Sequence, residues 1–478
     1  MRRLFLVAFV SLTLVSLMFA QSASTLSPAV RAFVSVDAPA VALTHVRVID
    51  GTGAAAIEDQ TILIEDGRIR MIGGAASTKV PEGAKVLDLS GSTVIPGIVG
   101  MHDHILYPSG GGTALYSELA FSAPRLYLAG GVTTIRTTGS IEPYTDLSLK
   151  KLIDSGIAPG PKIHVTGPYL EGPGAFTMQM HELTGPEDAR KLVEYWADLG
   201  VTSFKAYMHV TRAELSAAID AAHKRGLKVT GHLCSIGFRE AAALGIDDLE
   251  HGLMVDTEFV PGKKPDACPS RQETAATMAS LDLESAPVKE MIGDLVRRHV
   301  AITSTLPVFE TVLPNRPPLE QRVLDAMLPE LRLDYLERRA RLSESPNPAG
   351  AQAFKKELQF ERDLQRAGGL LIAGLDPTGY GGVVPGFGDQ REIELLVEAG
   401  FSPVEAIKIA TSNGARYLAE SDHIGTIAPG KQADLVVIQG DPSKNISDIR
   451  KVSLVFKDGI GYDPGKLIES ARGMVGLH

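Results

Sequence analysis

Between residues 94 and 421 short apolar runs alternate with amphipathic stretches, and this alternation is what most limits the folds open to the chain. An apolar run of about six residues followed by a helix-patterned segment is a βα unit, and repeated βα units place their strands in parallel. The runs lie at 94–101, 131–136, 162–165, 202–206, 228–230, 248–250, 301–305 and 370–373. Eight such strands close a barrel, so the expectation is an α/β chain with a (β/α)8 TIM barrel over 94–421. Two helix starts are explicit. Thr211-Arg-Ala-Glu214 and Ser402-Pro-Val-Glu405 are capping boxes, in which the first side chain and the Glu three residues on satisfy each other's backbone N–H groups. The longer polar stretches 255–295 and 311–355 interrupt the alternation, and long excursions after barrel strands shape substrate pockets.

The two ends of the chain read differently. Short β-rich runs separated by turns such as Asp50-Gly51 and Asp66-Gly67 occupy 41–93, and similar text returns over 433–457. These segments, 41–93 with 422–465, are expected to join as one small β-sandwich domain. Ahead of them Arg2 and Arg3 precede an apolar run from Leu4 to Phe19 that ends in small residues. That is the pattern of a signal peptide over 1–22, and it places the chain in the periplasm or outside the cell, with no stable membrane insertion after cleavage. An oxidising compartment permits a bridge between Cys234 and Cys268, the two cysteines of the chain. A net charge of −10 without a long Lys/Arg run argues against a nucleic-acid partner.

Chemistry gathers at the strand ends. His102 and His104 follow the first strand, and side chains two apart on an extended segment point the same way, so both imidazoles can reach one metal ion. Lys205, His232, His251 and Asp376 follow the fourth, fifth, sixth and eighth strands. Polar residues at C-terminal strand ends of such a barrel face its catalytic mouth. Tyr207, His209, Arg136, Tyr169 and His164 also lie near strand ends and are candidates to hold a substrate. Glu250 reads as a partner of a ligand.

These motifs resemble the amidohydrolase superfamily, in its imidazolonepropionase-like and prolidase-like branch. The likeness rests on 94–104, 131–136, 202–205, Gly231-His232, Leu249-Glu250-His251-Gly252, 373–376, 394–416 and the closing stretch GTIAPGKQADLVVI that starts at Gly425. The resemblance implies that His102, His104 and Asp376 serve one divalent metal and His232 and His251 a second. It implies that Lys205, carboxylated on its N6 atom, bridges them, and that Asp376 is the general acid and base. Zinc suits this ligand set best. The implied activity is hydrolysis of an amide bond in a small molecule, a dipeptide or an N-acyl amino acid. The alternatives are a mononuclear deaminase, a cyclic-amide hydrolase of imidazolonepropionase type, and a lactonase or esterase. Assembly into a homo-oligomer is compatible with either reading. The chain departs from its relatives in Thr137 after Arg136, where many carry Asp, and in Tyr207-Met208-His209 after the lysine strand.

Overall fold

The computed structural model describes residues 26–108, 115–345, 348–378 and 381–476, so the leader over 1–22 lies outside the described residues. Parallel strands Ile98–Gly100, Val132–Arg136 and Lys162–His164 form one sheet. Thr166–Leu170, Ser203–Ala206, Lys228–Gly231, Asp248–Glu250, Ala301–Ser304 and Leu371–Ala373 form a second. Val165 joins the two, and its carbonyl accepts the Thr202 N–H at 2.7 Å. At the far side Met101 N donates to Ala373 O at 2.8 Å and Asp376 N to His102 O at 3.0 Å, which lays the last strand beside the first. The result is a TIM-barrel-like α/β fold.

Two strand expectations need correction. The first run, 94–101, is two strands: Ser92–Pro96 belongs to the sheet of the chain ends, and only Ile98–Gly100 enters the parallel set. Gly97 separates them, where a Cβ would meet the Thr133 side chain at 2.0 Å. The third run does not stop at 165 but continues through Thr166–Leu170. Gly167-Pro168 reads as a breaker in sequence. In the fold Gly167 is a close approach, since a Cβ there would lie 2.7 Å from the Phe204 ring.

The segments expected as a sandwich are one continuous nine-stranded sheet instead. Its order is Val34–Val36, Ile460–Tyr462, Val452–Lys457, Leu435–Gln439, Ser92–Pro96, Ala40–Val48, Ile57–Glu65 and Arg68–Gly74, with Lys85–Asp88 also paired to Ala40–Val48. The ends of the chain meet in the middle, where Thr93 lies opposite Ile438 and Ile95 opposite Val436. The alternation of strand side chains explains why both faces are apolar. Leu435 and Val437 face a cluster with Leu43, Ile62 and Phe456. Val436 and Ile438 turn the other way and join the large core that also contains Phe204, Val229, Leu249 and Ile302.

The helix Arg212–His223 starts on the Thr211–Glu214 capping box, and Pro403–Lys408 on that of Ser402 and Glu405. Trp196 is packed in the core from the helix Pro186–Leu199. The first excursion carries the helices Arg271–Ser280 and Ala286–Arg297; the second carries Gln321–Ala326, Pro329–Glu344 and the start of Pro348–Arg366. Among the described residues no helix is long and apolar enough to cross a membrane.

Candidate active site

The first parallel strand delivers His102 and His104 just past its end, and both are fully buried. Lys205 stands on the fourth strand, His232 follows the fifth and His251 the sixth. Asp376 follows the eighth. His251 and Asp376 have left-handed backbones, φ 69° and 53°. For non-glycine residues that conformation is strained and persists where the surroundings enforce it.

The six side chains converge. His102 Nε2 and His104 Nε2 are 3.1 Å apart, and Lys205 Nζ is 3.0 Å from His102 Nε2. Asp376 Oδ1 lies 3.6 Å from His102 Nε2 and 3.5 Å from His104 Nε2, and its Oδ2 lies 3.7 Å from His251 Nδ1. The His251 ring centre is 4.7 Å from those of both His102 and His232.

The outer nitrogens fix the tautomers. His104 Nδ1 donates to Gly139 O at 3.0 Å and His232 Nδ1 to Leu233 O at 2.9 Å. His102 Nδ1 donates to Glu250 Oε2 at 2.7 Å. A carbonyl or carboxylate oxygen only accepts, so the proton sits on Nδ1 and each Nε2 presents a lone pair. Two lone pairs facing each other at 3.1 Å do not form a hydrogen bond. They suit a cation, and His102, His104 and Asp376 are grouped closely enough to hold one. His251 Nδ1 pairs with the Thr305 hydroxyl at 2.8 Å.

Burial sets the charge states. It holds His102, His104 and His251 well below the usual imidazole range and His232 at about 4, assisted at each by the Lys205 charge, so all four are neutral ligands near pH 7. Burial also lowers the Lys205 amine to about 8. It raises the Asp376 carboxyl to about 6, against the pull of Lys205 and of the Thr378 hydroxyl that donates to Oδ1 at 2.7 Å.

A cavity of about 310 Å³ opens over this cluster. Tyr169 and Tyr207, two of the expected substrate contacts, line it, and the Tyr169 hydroxyl is 3.4 Å from His104 Nε2. The other three do not. Arg136 is inside the barrel, with its guanidinium 2.8 Å from both Asp248 and Glu250. Burial opposes its charge, but the two carboxylates outweigh that and keep it protonated. It therefore positions Glu250, and through it His102. His164 faces a separate cleft and pairs with Glu420 at 3.1 Å. His209 is drawn off by Glu171, 3.5 Å from its Nδ1. Sequence reasoning missed Tyr116, Phe176, Phe309 and Arg271, which also line the cavity. All four lie outside the expected strands and their ends, so strand periodicity carried no signal for them.

Comparison with known proteins agrees with this geometry. The Amidohydrolase family model matches residues 93–261 and 360–460. A dihydroorotase of Pelotomaculum thermopropionicum is 23% identical over 413 residues, spanning 84% of this chain and 89% of its own. An enamidase of Eubacterium barkeri is 24% identical over 427 residues with the same coverage. Among solved structures, a protein described as a prolidase from Bifidobacterium longum superposes with a TM-score of 0.66 at 25% identity, over 90% of this chain and 98% of that one. With its parallel strands, its histidine–aspartate cluster and a family match over more than half its length, the chain belongs to the amidohydrolase family, whose members are metal-dependent hydrolases of C–N bonds.

Proposed function

We propose that the chain hydrolyses the amide bond of a dipeptide or an N-acyl amino acid, using two divalent metal ions, zinc by preference, bridged by Lys205 in its N6-carboxylated form. The observation that carries the reading is the Lys205 amine, fully buried and 3.0 Å from His102 Nε2 among four neutral imidazoles. An ammonium ion cannot ligate a cation and would be repelled by two of them. With its proton affinity lowered to about 8, a useful fraction of the amine is neutral. Only the neutral amine attacks carbon dioxide; the new N–C bond and the loss of one proton give an anionic carbamate with two oxygen donors. His102, His104 and Asp376 would hold one ion, and His232 and His251 the other. Bound there, the ions would supply an acidified water and polarise the scissile carbonyl.

The chain's own residues do the rest. Asp376, oriented by Thr378, takes a proton from the attacking water and passes it to the leaving nitrogen. Tyr207, on the cavity wall, is placed to donate its hydroxyl to the substrate carbonyl oxygen. Relatives named as a Xaa-Pro dipeptidase and as a prolidase support a peptide-like substrate. Hydrolysis of a cyclic amide is the second reading, favoured by the dihydroorotase and enamidase that match 84% of the chain.

A complete (β/α)8 barrel over 94–421, a β-domain of 41–93 with 422–465, and export directed by a signal over 1–22 belong to the same proposal. The hydrogen bonds from Met101 to Ala373 and from Asp376 to His102 support the first. A disulfide between Cys234 and Cys268 supports an oxidising compartment. The decisive experiment joins elemental analysis to a panel of dipeptides, N-acyl amino acids and cyclic amides. Two metals per chain with turnover of a linear amide is the expected result. One metal per chain in fully active protein, or turnover confined to cyclic substrates, would reject it.

A further inference from the structure

The cavity is lopsided in charge. Among its described lining residues Asp376 is the only carboxylate, and it belongs to the cluster at the floor. At the lip stands Arg271, an exposed cation that makes no ion pair or hydrogen bond with any described residue. Other arginines of the excursions do have partners: Arg316 with Glu310, and Arg322 with Glu320. The wall between floor and lip is aromatic. Tyr116 and Phe176 meet edge to face with ring centres 5.5 Å apart, and Phe176 is 5.6 Å from Tyr207.

Arg271 is also held in place. It opens the helix Arg271–Ser280, whose first turn is fixed by the reciprocal capping of Ser270 and Glu273. Three residues upstream, Cys268 is bonded to Cys234, which follows His232 by two residues. Asp266 accepts two hydrogen bonds from the Arg212 guanidinium, at 3.0 and 3.1 Å. At the other end of the helix Lys356 Nζ donates to Met278 O and Ala279 O. These contacts fix the backbone that carries Arg271 and leave its guanidinium open.

We propose that Arg271 selects substrates bearing a free carboxylate, which it binds at the mouth while an apolar side chain lies against the aromatic wall, and that the Cys234–Cys268 bridge fixes its distance from the floor. The inference rests on the amide-hydrolase reading of the same site. Guanidinium pairs with carboxylate through two parallel N–H donors, which gives direction as well as attraction. The excursion that supplies Arg271 lies outside the parallel strands, so it can differ while the floor stays the same.

The test is equilibrium binding of N-methanesulfonyl-L-phenylalanine, whose sulfonamide offers no carbonyl to hydrolyse, and its C-terminal amide to the native protein and to Arg271→Gln, Arg271→Lys and Cys268→Ser. The acid should bind native protein roughly tenfold more tightly than the amide, the scale of one charge-assisted hydrogen-bonded pair. In Arg271→Gln the ratio should fall to about one. Arg271→Lys should recover part of it, and Cys268→Ser should weaken it. A preference that survives Arg271→Gln would mean the carboxylate binds at the floor, and overturns the proposal. So would equal affinities in native protein, or no binding of either compound. An unchanged ratio in Cys268→Ser removes the role of the bridge. Because binding is read without turnover, a preference that depends on Arg271 in a protein that cleaves no linear amide would reject the amide-hydrolase reading and leave the carboxylate site standing.

Discussion

At the scale of single residues, Asp376 and Lys205 carry the chemistry and Arg136 carries its geometry. Asp376→Asn keeps the shape of the side chain and removes the base, so kcat should fall by about 10²–10⁴-fold with little change in metal content, measured by steady-state kinetics alongside elemental analysis. A loss below about fivefold would remove Asp376 from the proton path. Lys205→Ala should lose one or both metals and nearly all activity. Short carboxylic acids should restore part of both by supplying the missing bridge, whereas Lys205→Arg should restore neither, since guanidinium is not carboxylated and does not ligate. Full metal content and normal turnover in Lys205→Ala would exclude a bridging role. Arg136→Met strands Asp248 and Glu250, both fully buried, without a cation. The expected cost is about 3–5 kcal/mol in chemical denaturation. Sequence placed Arg136 at a strand end but could not show which way it pointed. Its strand is buried along its whole length, so the alternation that separates inside from outside was absent. The converging histidines were legible because each lies within a few residues of the C-terminal end of an apolar strand.

At the scale of elements, the seam between the last and first strands is a close joint of backbone against backbone beside the site. A Cβ on Gly374 would lie 2.4 Å from both the backbone nitrogen and the Cβ of His102. Backbone on one side and a site histidine on the other leave no soft neighbour to give way. Gly374→Ala should therefore destabilise by about 1–3 kcal/mol. It should also weaken metal retention, because His102 must move; a denaturant midpoint and a metal titration together check this. A variant with unaltered stability and metal affinity would show that the seam has slack. The same kind of contact explains what the sequence hid. Gly97 and Gly167 look like punctuation, yet each stands where neighbouring side chains press on the backbone. Arg271 opens a helix of the first excursion, whose placement depends on distant anchors such as Cys234 and Lys356 rather than on strand periodicity, and Phe176 belongs to an irregular segment.

For the whole molecule, four imidazoles kept neutral by burial make folding of the metal-free protein dependent on pH. Between about 4, where His232 titrates in the fold, and 6.5, its ordinary value, this imidazole binds more protons in the unfolded chain than in the native one, and His102, His104 and His251 act in the same direction. Buried carboxyls act oppositely: burial raises Asp376 and Asp389 to about 6, Asp146 and Asp248 to about 7, and Asp256 and Glu361 to about 8. The assignment is therefore read at the imidazoles themselves: in NMR titration of chelator-treated protein His232 should stay neutral down to about pH 4, and a His232 that titrates near 6.5 would contradict it. The sheet of the chain ends has a consequence of a different kind. Strand Ser92–Pro96 is paired with Leu435–Gln439, and Val34–Val36 with Ile460–Tyr462. A ribosome must finish almost the entire chain before either partner exists. The first hundred residues therefore wait with an unmatched strand edge while the parallel strands emerge behind them, a state open to pairing with other nascent chains. Closure is a late event joining segments far apart in sequence, a topology associated with slow folding. A chain truncated before residue 435 keeps the pairing of its early strands with one another but leaves Ser92–Pro96 and Val34–Val36 without their late partners, an open edge in the middle of the sheet.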